Sequence, residues 1–435
     1  MRSIFKHAVV RALRWQAGAV LRKYRPKIIA VTGSVGKTST KDAIFAALAP
    51  GAYVRKSQKS QNSEIGIPLT ILGAANAWNN PLRWLMNIID GFFLIWFNAQ
   101  YPEWLVLEVG ADRPGDISSL KRWLKVDVAV ITRLPEVPVH VEFFDSPEAV
   151  IEEKASLIDC LVPGGALVLF GDDERTRALE RRLPAPDAKI LTFGFSAECD
   201  VRGEEPAAVR EDLESWPVGM AATIHSGKES ARLEIRGVLG AHAFLPALGT
   251  AAVAAALGKT LHEAVGGLRS YVPPPGRMRL TPGIKKTLII DDTYNASPAA
   301  VEAALEALSL ARMPGGRAVA VLGDMAELGR RSIEEHRKAG ALAAKTCDVL
   351  VTVGFRARDI AAAALEGGVD ENLIMQFEDS RHAGKELESV IQERDVVLVK
   401  GSQSMRMERA VEEIMAQPER AGELLVRQEP EWKRR

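Results

Sequence analysis

The sequence predicts an α/β protein: a P-loop-type domain with a mostly parallel sheet, followed by a Rossmann-like α/β C-terminal domain. Three observations support this fold class. Short apolar runs alternate with helical patterns, a glycine loop at 33–38 joins one such run to a helix, and a proline-rich breaker at 271–276 precedes a new alternation. Strands that alternate with helices indicate parallel strands covered on both faces.

Composition narrows the class of protein. The 435 residues predict two or three domains, and 47% hydrophobic with 26% charged residues exclude a disordered chain, a collagen-like fibre and a disulfide-stapled miniprotein. Lys+Arg and Asp+Glu total 56 each, so no nucleic-acid partner is expected. Cys160, Cys199 and Cys347 form no CxxC pair, which excludes a zinc ribbon and favours the reducing cytoplasm.

The chain opens with a predicted basic amphipathic helix at 1–27. Apolar residues are interspersed there with eight cations and no acid: Arg2, Lys6, Arg11, Arg14, Arg22, Lys23, Arg25 and Lys27. The segment has no uninterrupted apolar core and no small-residue cleavage site, so it is not a signal peptide. Two interpretations stay open: a helix resting on an anionic membrane surface, or a helix packed on the first domain with its cations in solvent.

An apolar insertion is predicted at about 81–101. Its core at 84–97 is shorter than the roughly 20 residues that span a bilayer, and it contains Asn87, Asp90 and Gly91. A buried or interface helix is the simpler interpretation, and partial insertion into one leaflet is the alternative. Together with the basic helix, the insertion suggests that a cytoplasmic protein contacts the inner face of the membrane through 1–27 and 84–97.

Two domains are expected, at 28–272 and 273–435. In the first, strand patterns lie at 27–32, 104–109, 126–132, 166–170 and 189–193, helical patterns end at 48 and cover 146–161 and 244–257, and a β excursion occupies 195–238. In the second, strand patterns lie at 286–291, 318–322, 349–353 and 396–399, and helical patterns at 298–311 and 332–345. The pattern leaves the oligomeric state open.

The glycine loop is the first candidate for chemistry. Backbone amides of a loop between a strand and a helix can hold phosphate oxygens. The candidate nucleotide-binding residues are Gly33, Ser34, Val35, Gly36, Lys37, Thr38 and Ser39. Lys37 would reach the β- and γ-phosphates, and the Thr38 hydroxyl would bind Mg²⁺. The strict phosphate-loop pattern has glycine where this chain has Val31, so an ordinary turn is the alternative.

Three further residues do not indicate a function when each is considered separately. Glu108 ends an apolar strand, where a carboxylate could hold a metal beside phosphates, but a solvated strand end is commoner. His140 alone suggests a surface histidine, and Lys154 alone suggests an exposed helix lysine.

Together they resemble a known family. Residues 30–40 (AVTGSVGKTST), 107–110 (LEVG), the loop around His140 and Lys154 resemble the Mur ligases, ATP-dependent amide-forming enzymes of cell-wall synthesis. The family's loop commonly reads TGxxGK[ST][ST], which accounts for Val31. Segments 62–70, 291–298, 321–329 and 399–407 are most similar to the member that adds D-alanyl-D-alanine to a muramoyl-peptide precursor.

The resemblance implies a reaction and a set of roles. A carboxylate of the muramoyl peptide would take the γ-phosphoryl group of ATP to form an acyl phosphate, and the amine of D-alanyl-D-alanine would then displace phosphate. Lys37 would neutralise the transferring phosphoryl group, and Mg²⁺ would be held by Thr38, Glu108, His140 and a carbamate formed from CO₂ on Lys154. Arg277 would contact phosphate, Asp292 the ribose and Asn295 the nucleotide.

Two departures from the family pattern are expected to matter. The helix that usually begins His-Asn-x-x-Asn here reads His242-Ala243-Phe244-Leu245-Pro246, so both amides are lost. Family members of this type also carry a UDP-sugar domain before the phosphate loop, whereas 32 residues precede Gly33 here. The second departure predicts a changed capture of the acceptor: either a UDP-sugar held by a partner, or a lipid-linked acceptor at the membrane. Two further alternatives stay open: a ligase for a different amino acid, and a non-catalytic nucleotide-binding scaffold of cell-wall assembly.

Overall fold

The computed structural model describes residues 3–58, 61–78, 80–183, 187–212 and 215–434, with the side chains of 3–6 left out. Arg2 and the side chain of Lys6, two of the predicted N-terminal cations, therefore lie outside the described residues. Cys160, Cys199 and Cys347 are all free thiols.

A nine-stranded sheet forms the first half of the molecule, in the order β2-β3-β1-β4-β5-β6-β7-β8-β9. Its strands are β1 (Lys27–Thr32), β2 (Val54–Lys56), β3 (Trp104–Glu108), β4 (Val126–Ile131), β5 (Leu161–Phe170), β6 (Lys189–Gly194), β7 (Val201–Arg210), β8 (Pro217–Ser226) and β9 (Glu229–Arg236). Pairing is parallel from β2 to β7 and antiparallel among β7, β8 and β9. The last three strands are the predicted β excursion.

A six-stranded sheet forms the second half, in the order β10-β11-β15-β12-β13-β14. Its strands are β10 (Arg279–Pro282), β11 (Leu288–Asp292), β12 (Ala318–Gly323), β13 (Val349–Val353), β14 (Ile374–Phe377) and β15 (Val396–Lys400). β10 is antiparallel to β11 and the other pairs are parallel. The two sheets confirm the predicted fold class.

Helices cover both sheets. Those of the first half are α1 (Ser3–Tyr24), α2 (Lys37–Leu48), α3 (Gly66–Leu72), α4 (Pro81–Trp96), α5 (Pro147–Ala155), α6 (Glu174–Arg177), α7 (Leu245–Ala256) and α8 (Leu261–Leu268). Those of the second half are α9 (Pro298–Ala311), α10 (Ser332–Thr346), α11 (Arg358–Glu366), α12 (Ser380–Val390), α13 (Glu408–Ile414), α14 (Ala421–Leu424) and α15 (Pro430–Lys433).

One predicted helix is too long. The pattern at 146–161 forms α5 only as far as Ala155, after which Ser156–Cys160 tighten into a 3₁₀ helix. Leu161 then starts β5 and pairs with Val126 of β4. The apolar residues continue at helical spacing through this region because the 3₁₀ turn faces the same core as α5, so periodicity alone could not show where the helix ends.

The basic N-terminal helix packs on the first sheet. Leu13, Ala17 and Val20 of α1 are completely buried, in the same core cluster as Trp84 of α4 and Leu105 of β3. This agrees with the packed-helix interpretation for the apolar side of α1. The simpler expectation for the insertion was a buried or interface helix. Only Trp84 and Gly91 of α4 are buried, so the helix is not a buried one, and an interface helix and partial insertion into one leaflet both stay open.

Contacts of the C-terminal tail link the two halves. The ring of Trp432 on α15 meets that of Trp78, in the loop before α4, edge to face at 6.4 Å between centroids. The guanidinium groups of Arg406 and Arg427 lie 5.6 and 6.0 Å from the centre of the Trp432 ring.

We expect that Leu13→Ala lowers the free energy of unfolding by about 2–5 kcal/mol, because it empties a completely buried site between α1 and the sheet. Denaturant unfolding followed by circular dichroism measures the change. Leu82→Ala on α4 is the matched control, since Leu82 is 71% exposed and should change stability by less than about 0.5 kcal/mol. Equal effects of the two substitutions would contradict the packing of α1.

Candidate active site

The phosphate loop (residues 33–38) follows the carboxyl end of β1 and leads into α2, whose first residue is Lys37. Gly33 has φ +137°, and a Cβ there would lie 2.0 Å from Thr132 Oγ1. The amide of Ser34 donates to the carbonyl of Arg133 at 3.0 Å, and Lys37 Nζ donates back to the carbonyl of Gly33 at 2.8 Å. These contacts shape a loop at a helix N-terminus, which is an arrangement suited to anions.

Glu108 is the carboxylate at the centre of this edge. Thr38 Oγ1 and Asn62 Nδ2 each donate to Glu108 Oε1 at 3.2 Å, and Lys41 Nζ lies 3.7 Å from Glu108 Oε2. Glu108 is 2% exposed, and its Oε2 accepts no hydrogen bond from the described residues. A buried carboxylate oxygen with a free lone pair, next to a threonine hydroxyl, fits a hard cation such as Mg²⁺.

Lys154 lies near Lys37 and is buried rather than exposed. Its side chain is 1% exposed, and burial together with the charge of Lys37 lowers the pKa of Lys154 to about 7. Burial also lowers the pKa of Lys37, while Glu108 opposes that shift. A lysine with a pKa near 7 is neutral in about half of the molecules at pH 7, so its amine is available as a nucleophile.

His140 lies between the two halves of the molecule. It adopts φ +70°, and its Nδ1 is 2.5 Å from Glu327 Oε2 of the second half while its Nε2 is 3.4 Å from Asp112 Oδ1. Contact with His140 lowers the pKa of Glu327. Asp112 also interacts electrostatically with Lys37 and Lys154, so it connects His140 to the phosphate loop.

Arg277 brings the second half onto the loop. Its Nη2 donates to Thr38 Oγ1 at 3.4 Å, and its guanidinium stacks 3.9 Å from the centre of the Tyr294 ring. Arg427 lies 5.6 Å from the centre of the same ring and pairs with buried Glu408 at 2.8 Å. The cation next to Thr38 is therefore held in place by the C-terminal half.

Asp292 and Asn295 lie at the end of β11 and in the loop after it. Lys400 Nζ donates to Asp292 Oδ2 at 2.5 Å and to the carbonyl of Asn295 at 3.0 Å. Met278 N donates to Asp292 Oδ1 at 3.2 Å. His242 faces the same charges: burial lowers its pKa to about 4, with Asp292 opposing and Lys400 adding to the shift.

The segment that departs from the family pattern has a local explanation. Ala241–Phe244 form a 3₁₀ turn, and Pro246 lies in the first turn of α7, a position that proline tolerates because it lacks an amide hydrogen.

A cleft of about 970 Å³ lies between the halves, with Arg133, which follows β4, on one wall and Pro298, which starts α9, on the other. Its size is in the range of a small-molecule site.

The structure therefore places the predicted residues of the first half at one edge of the first sheet, and Arg277 of the second half reaches Thr38 there. Asp292 and Asn295 lie at the end of β11 and contact Lys400. Ser34 and Val35 lie in the loop, Gly36 with φ +89° directly precedes α2, Ser39 lies in the first turn of α2, and the remaining candidates have the contacts described above. Their roles stay predictions. Among the residues that the structure describes, no group of three or more His, Cys, Asp or Glu side chains is placed to hold a metal. Any metal would also need the Thr38 hydroxyl or a modified lysine.

Sequence reasoning missed five residues of this site: Lys41, Asn62, Asp112, Glu327 and Lys400. Asn62, Glu327 and Lys400 lie inside segments that carry the family resemblance, so the signal was present without an assigned role. Asp112 follows Glu108 by four residues, at the carboxyl edge where ligands usually bind.

Comparison with known families covers most of both halves. Residues 31–254 match the model of the Mur ligase middle domain, and residues 276–403 match that of the Mur ligase glutamate ligase domain. The chain is 28% identical to the UDP-N-acetylmuramoyl-tripeptide–D-alanyl-D-alanine ligase of Bacillus subtilis, over 94% of this chain and 80% of the relative. It is 32% identical to the Mycobacterium bovis protein of the same name, over 86% of this chain and 70% of the relative.

Solved structures are similar as well. The MurF ligase from Thermotoga maritima in complex with ADP superposes with a TM-score of 0.75 at 28% identity, covering 93% of this chain and 83% of that chain. MurF from Acinetobacter baumannii superposes with a TM-score of 0.74 at 25% identity, covering 92% and 79%.

We expect Gly33→Ala to lower ATP affinity at least about tenfold, because the added Cβ collides with Thr132 Oγ1 and displaces the loop. Isothermal titration calorimetry measures the affinity. Gly115→Ala is the control: Gly115 also has positive φ, +94°, but a Cβ there meets nothing within 4 Å. It should leave ATP affinity unchanged. The loop geometry would be wrong if Gly33→Ala bound ATP normally.

Proposed function

The chain belongs to the Mur ligase family, and we propose that it is an ATP-dependent ligase that adds D-alanyl-D-alanine to the carboxylate of a muramoyl-peptide precursor of peptidoglycan. The observation that carries this proposal is the joint presence of Lys37 and Thr38 beside Glu108, with Arg277 reaching Thr38 from the second half. The relatives named for this reaction match the chain over both halves. The two domains are proposed to divide at 272/273.

The reaction has two steps. An oxygen of the acceptor carboxylate attacks the γ-phosphorus of ATP, the bond from that phosphorus to the β–γ bridging oxygen breaks, and ADP leaves an acyl phosphate. The amine of D-alanyl-D-alanine then attacks the acyl carbon, and the tetrahedral intermediate expels phosphate as the nitrogen loses a proton. Both steps bring anions together, so Lys37, Arg277 and the amides of the phosphate loop would lower the barrier by neutralising developing charge.

Mg²⁺ fits this site. Thr38 and Glu108 would hold one ion, because the free Oε2 of Glu108 and the Thr38 hydroxyl are hard oxygen ligands. His140 and a carbamate on Lys154 would hold a second. The metal would supply charge neutralisation at the phosphates. His140 would first have to exchange its contact with Glu327 for the metal.

Carbamylation of Lys154 is part of the proposal. The neutral amine attacks CO₂, forms a C–N bond and loses a proton, which leaves an anionic carbamate. The pKa of about 7 supplies neutral amine at neutral pH, and the positive charge of Lys37 favours the anionic product.

We also propose that the enzyme works in the cytoplasm at the inner face of the membrane, with 1–27 and 84–97 as the contact. Among the described residues, no helix is long and apolar enough to cross a bilayer. A lipid-linked acceptor is the second candidate substrate, and it is favoured by the exposed apolar side chains of α4.

The test of the reaction combines protein, ATP, Mg²⁺, bicarbonate, D-alanyl-D-alanine and UDP-N-acetylmuramoyl-tripeptide, and reads ADP release and product mass together. We expect a mass gain equal to the dipeptide minus water. Lys37→Ala should lower the rate by about 10²–10³-fold because it removes charge stabilisation. Lys228→Ala, in an exposed turn, should leave the rate unchanged. ATP binding without product in both soluble and lipid-linked acceptor assays would favour the scaffold alternative.

The carbamate is tested by ¹³C NMR of the protein in ¹³C-bicarbonate. We expect a carbamate carbonyl signal that disappears in Lys154→Arg, since arginine keeps the positive charge and presents no neutral amine. Lys228→Arg should retain the signal. A signal that persists in Lys154→Arg would place the modification elsewhere.

A further inference from the structure

The outward face of α4 is an apolar ridge. Its members follow one another at helical spacing and are each 44–71% exposed: Leu82, Leu85, Met86, Ile89, Phe93, Trp96 and Phe97. We call these seven side chains the α4 ridge. A surface helix normally turns such a stripe toward the core and presents polar residues to water. An exposed apolar patch of this extent on a folded domain marks an interaction surface.

Contacts with α1 prevent the ridge from turning inward. Gln16 Nε2 donates to the carbonyl of Ile88 at 2.7 Å, and a Cβ at Gly91 would lie 2.5 Å from Gln16 Oε1. At the end of the helix, Lys23 Nζ donates to the carbonyl of Phe97 at 2.6 Å. α4 therefore turns Gly91 and Trp84 toward the protein and leaves the seven side chains of the α4 ridge outside.

The ridge is bordered by positive charge. Exposed cations on α1, in the turn after it, at the start of β1 and on α4 are Arg11, Arg22, Lys23, Arg25, Lys27 and Arg83. The two helices run in the same direction, because Gln16 contacts Ile88 and Tyr24 contacts Leu94. The cations at the end of α1 therefore lie at the aromatic end of the ridge. Residues 1–27 contain no acid, and Asp90 is the one acid in the sequence of α4.

We propose that the α4 ridge docks on an anionic lipid surface, with α4 lying in the plane of the interface and the α1 cations against the headgroups. This inference rests on the membrane location proposed above and assigns its residues. A helix of 16 residues is about 24 Å long, shorter than the ~30 Å hydrocarbon core. Bulky aromatic side chains next to lysine and arginine are typical of helices that lie at such an interface.

Charge favours a lipid surface over a second copy of the chain as the occupant of the ridge. A second copy of the chain seated on the ridge would bring two sets of the same cations together, which is unfavourable. Anionic headgroups instead complement them, and each Lys or Arg near such a surface strengthens binding about fivefold. Docking is thus expected to need both the apolar ridge and the cations, and to weaken with salt.

The experiment uses the full chain and sedimentation with vesicles of phosphatidylcholine alone or mixed equally with phosphatidylglycerol. We expect binding to the mixed vesicles only. Leu85→Ser/Phe93→Ser should weaken it at least about tenfold, since both side chains are more than half exposed and leave the fold intact. Arg11→Gln/Arg22→Gln should weaken it about 25-fold. Ile333→Ser/Phe355→Ser removes equally exposed apolar residues elsewhere and should have no effect.

Several results would overturn the proposal. These are absence of binding to the mixed vesicles, equal binding by the α4 variant and its control, or a dimer in light scattering that Leu85→Ser/Phe93→Ser dissociates, which would identify a second copy as the occupant. Circular dichroism of each variant checks folding. The ligase assay with the soluble acceptor, run on the same variants, separates the two proposals: loss of vesicle binding with unchanged turnover affects docking alone.

Discussion

The site depends on one buried carboxylate. Removing Glu108 from water is costly, and the cost is offset by Thr38 and Lys41 of α2 and by Asn62 of the loop before α3. The same contacts join the start of α2 to the end of β3 and to the loop before α3. Glu108 therefore orders the sheet edge without any bound nucleotide, and its Oε2 is left without a hydrogen-bond partner among the described residues.

The second half of the molecule contributes cationic side chains to the site. The guanidinium of Arg277, which reaches Thr38, rests on the Tyr294 ring, and Arg427 lies 5.6 Å from the centre of the same ring. Lys400 similarly restrains Asp292. Each of these side chains comes from a loop or strand end of the second sheet, so the site exists only where the two halves meet, a common location for small-molecule chemistry.

Much of the fold and part of the candidate site could be predicted from the sequence. The elements and residues that could not be predicted were missed for physical reasons. β1 and α9 have the predicted bounds because an apolar run or a proline start defines them locally. β2 has only three residues, which are too few to show an alternation of apolar and polar side chains, and it forms because β3 pairs with it. In the site, Lys37 and Glu108 were found through motif and family resemblance. Lys41 was not, because a lysine on a helix predicts solvent exposure, and its burial follows from Glu108, which is distant in sequence.

The tail of the chain has a consequence for motion. Trp432 touches Trp78 directly before α4, while Arg427 beside it supports the Tyr294 ring on which Arg277 rests. A rotation of the second half that moved Trp432 away from Trp78 would break this contact. The contact between the two indoles therefore connects the residues that support Arg277 to the corner of the molecule from which α4 starts.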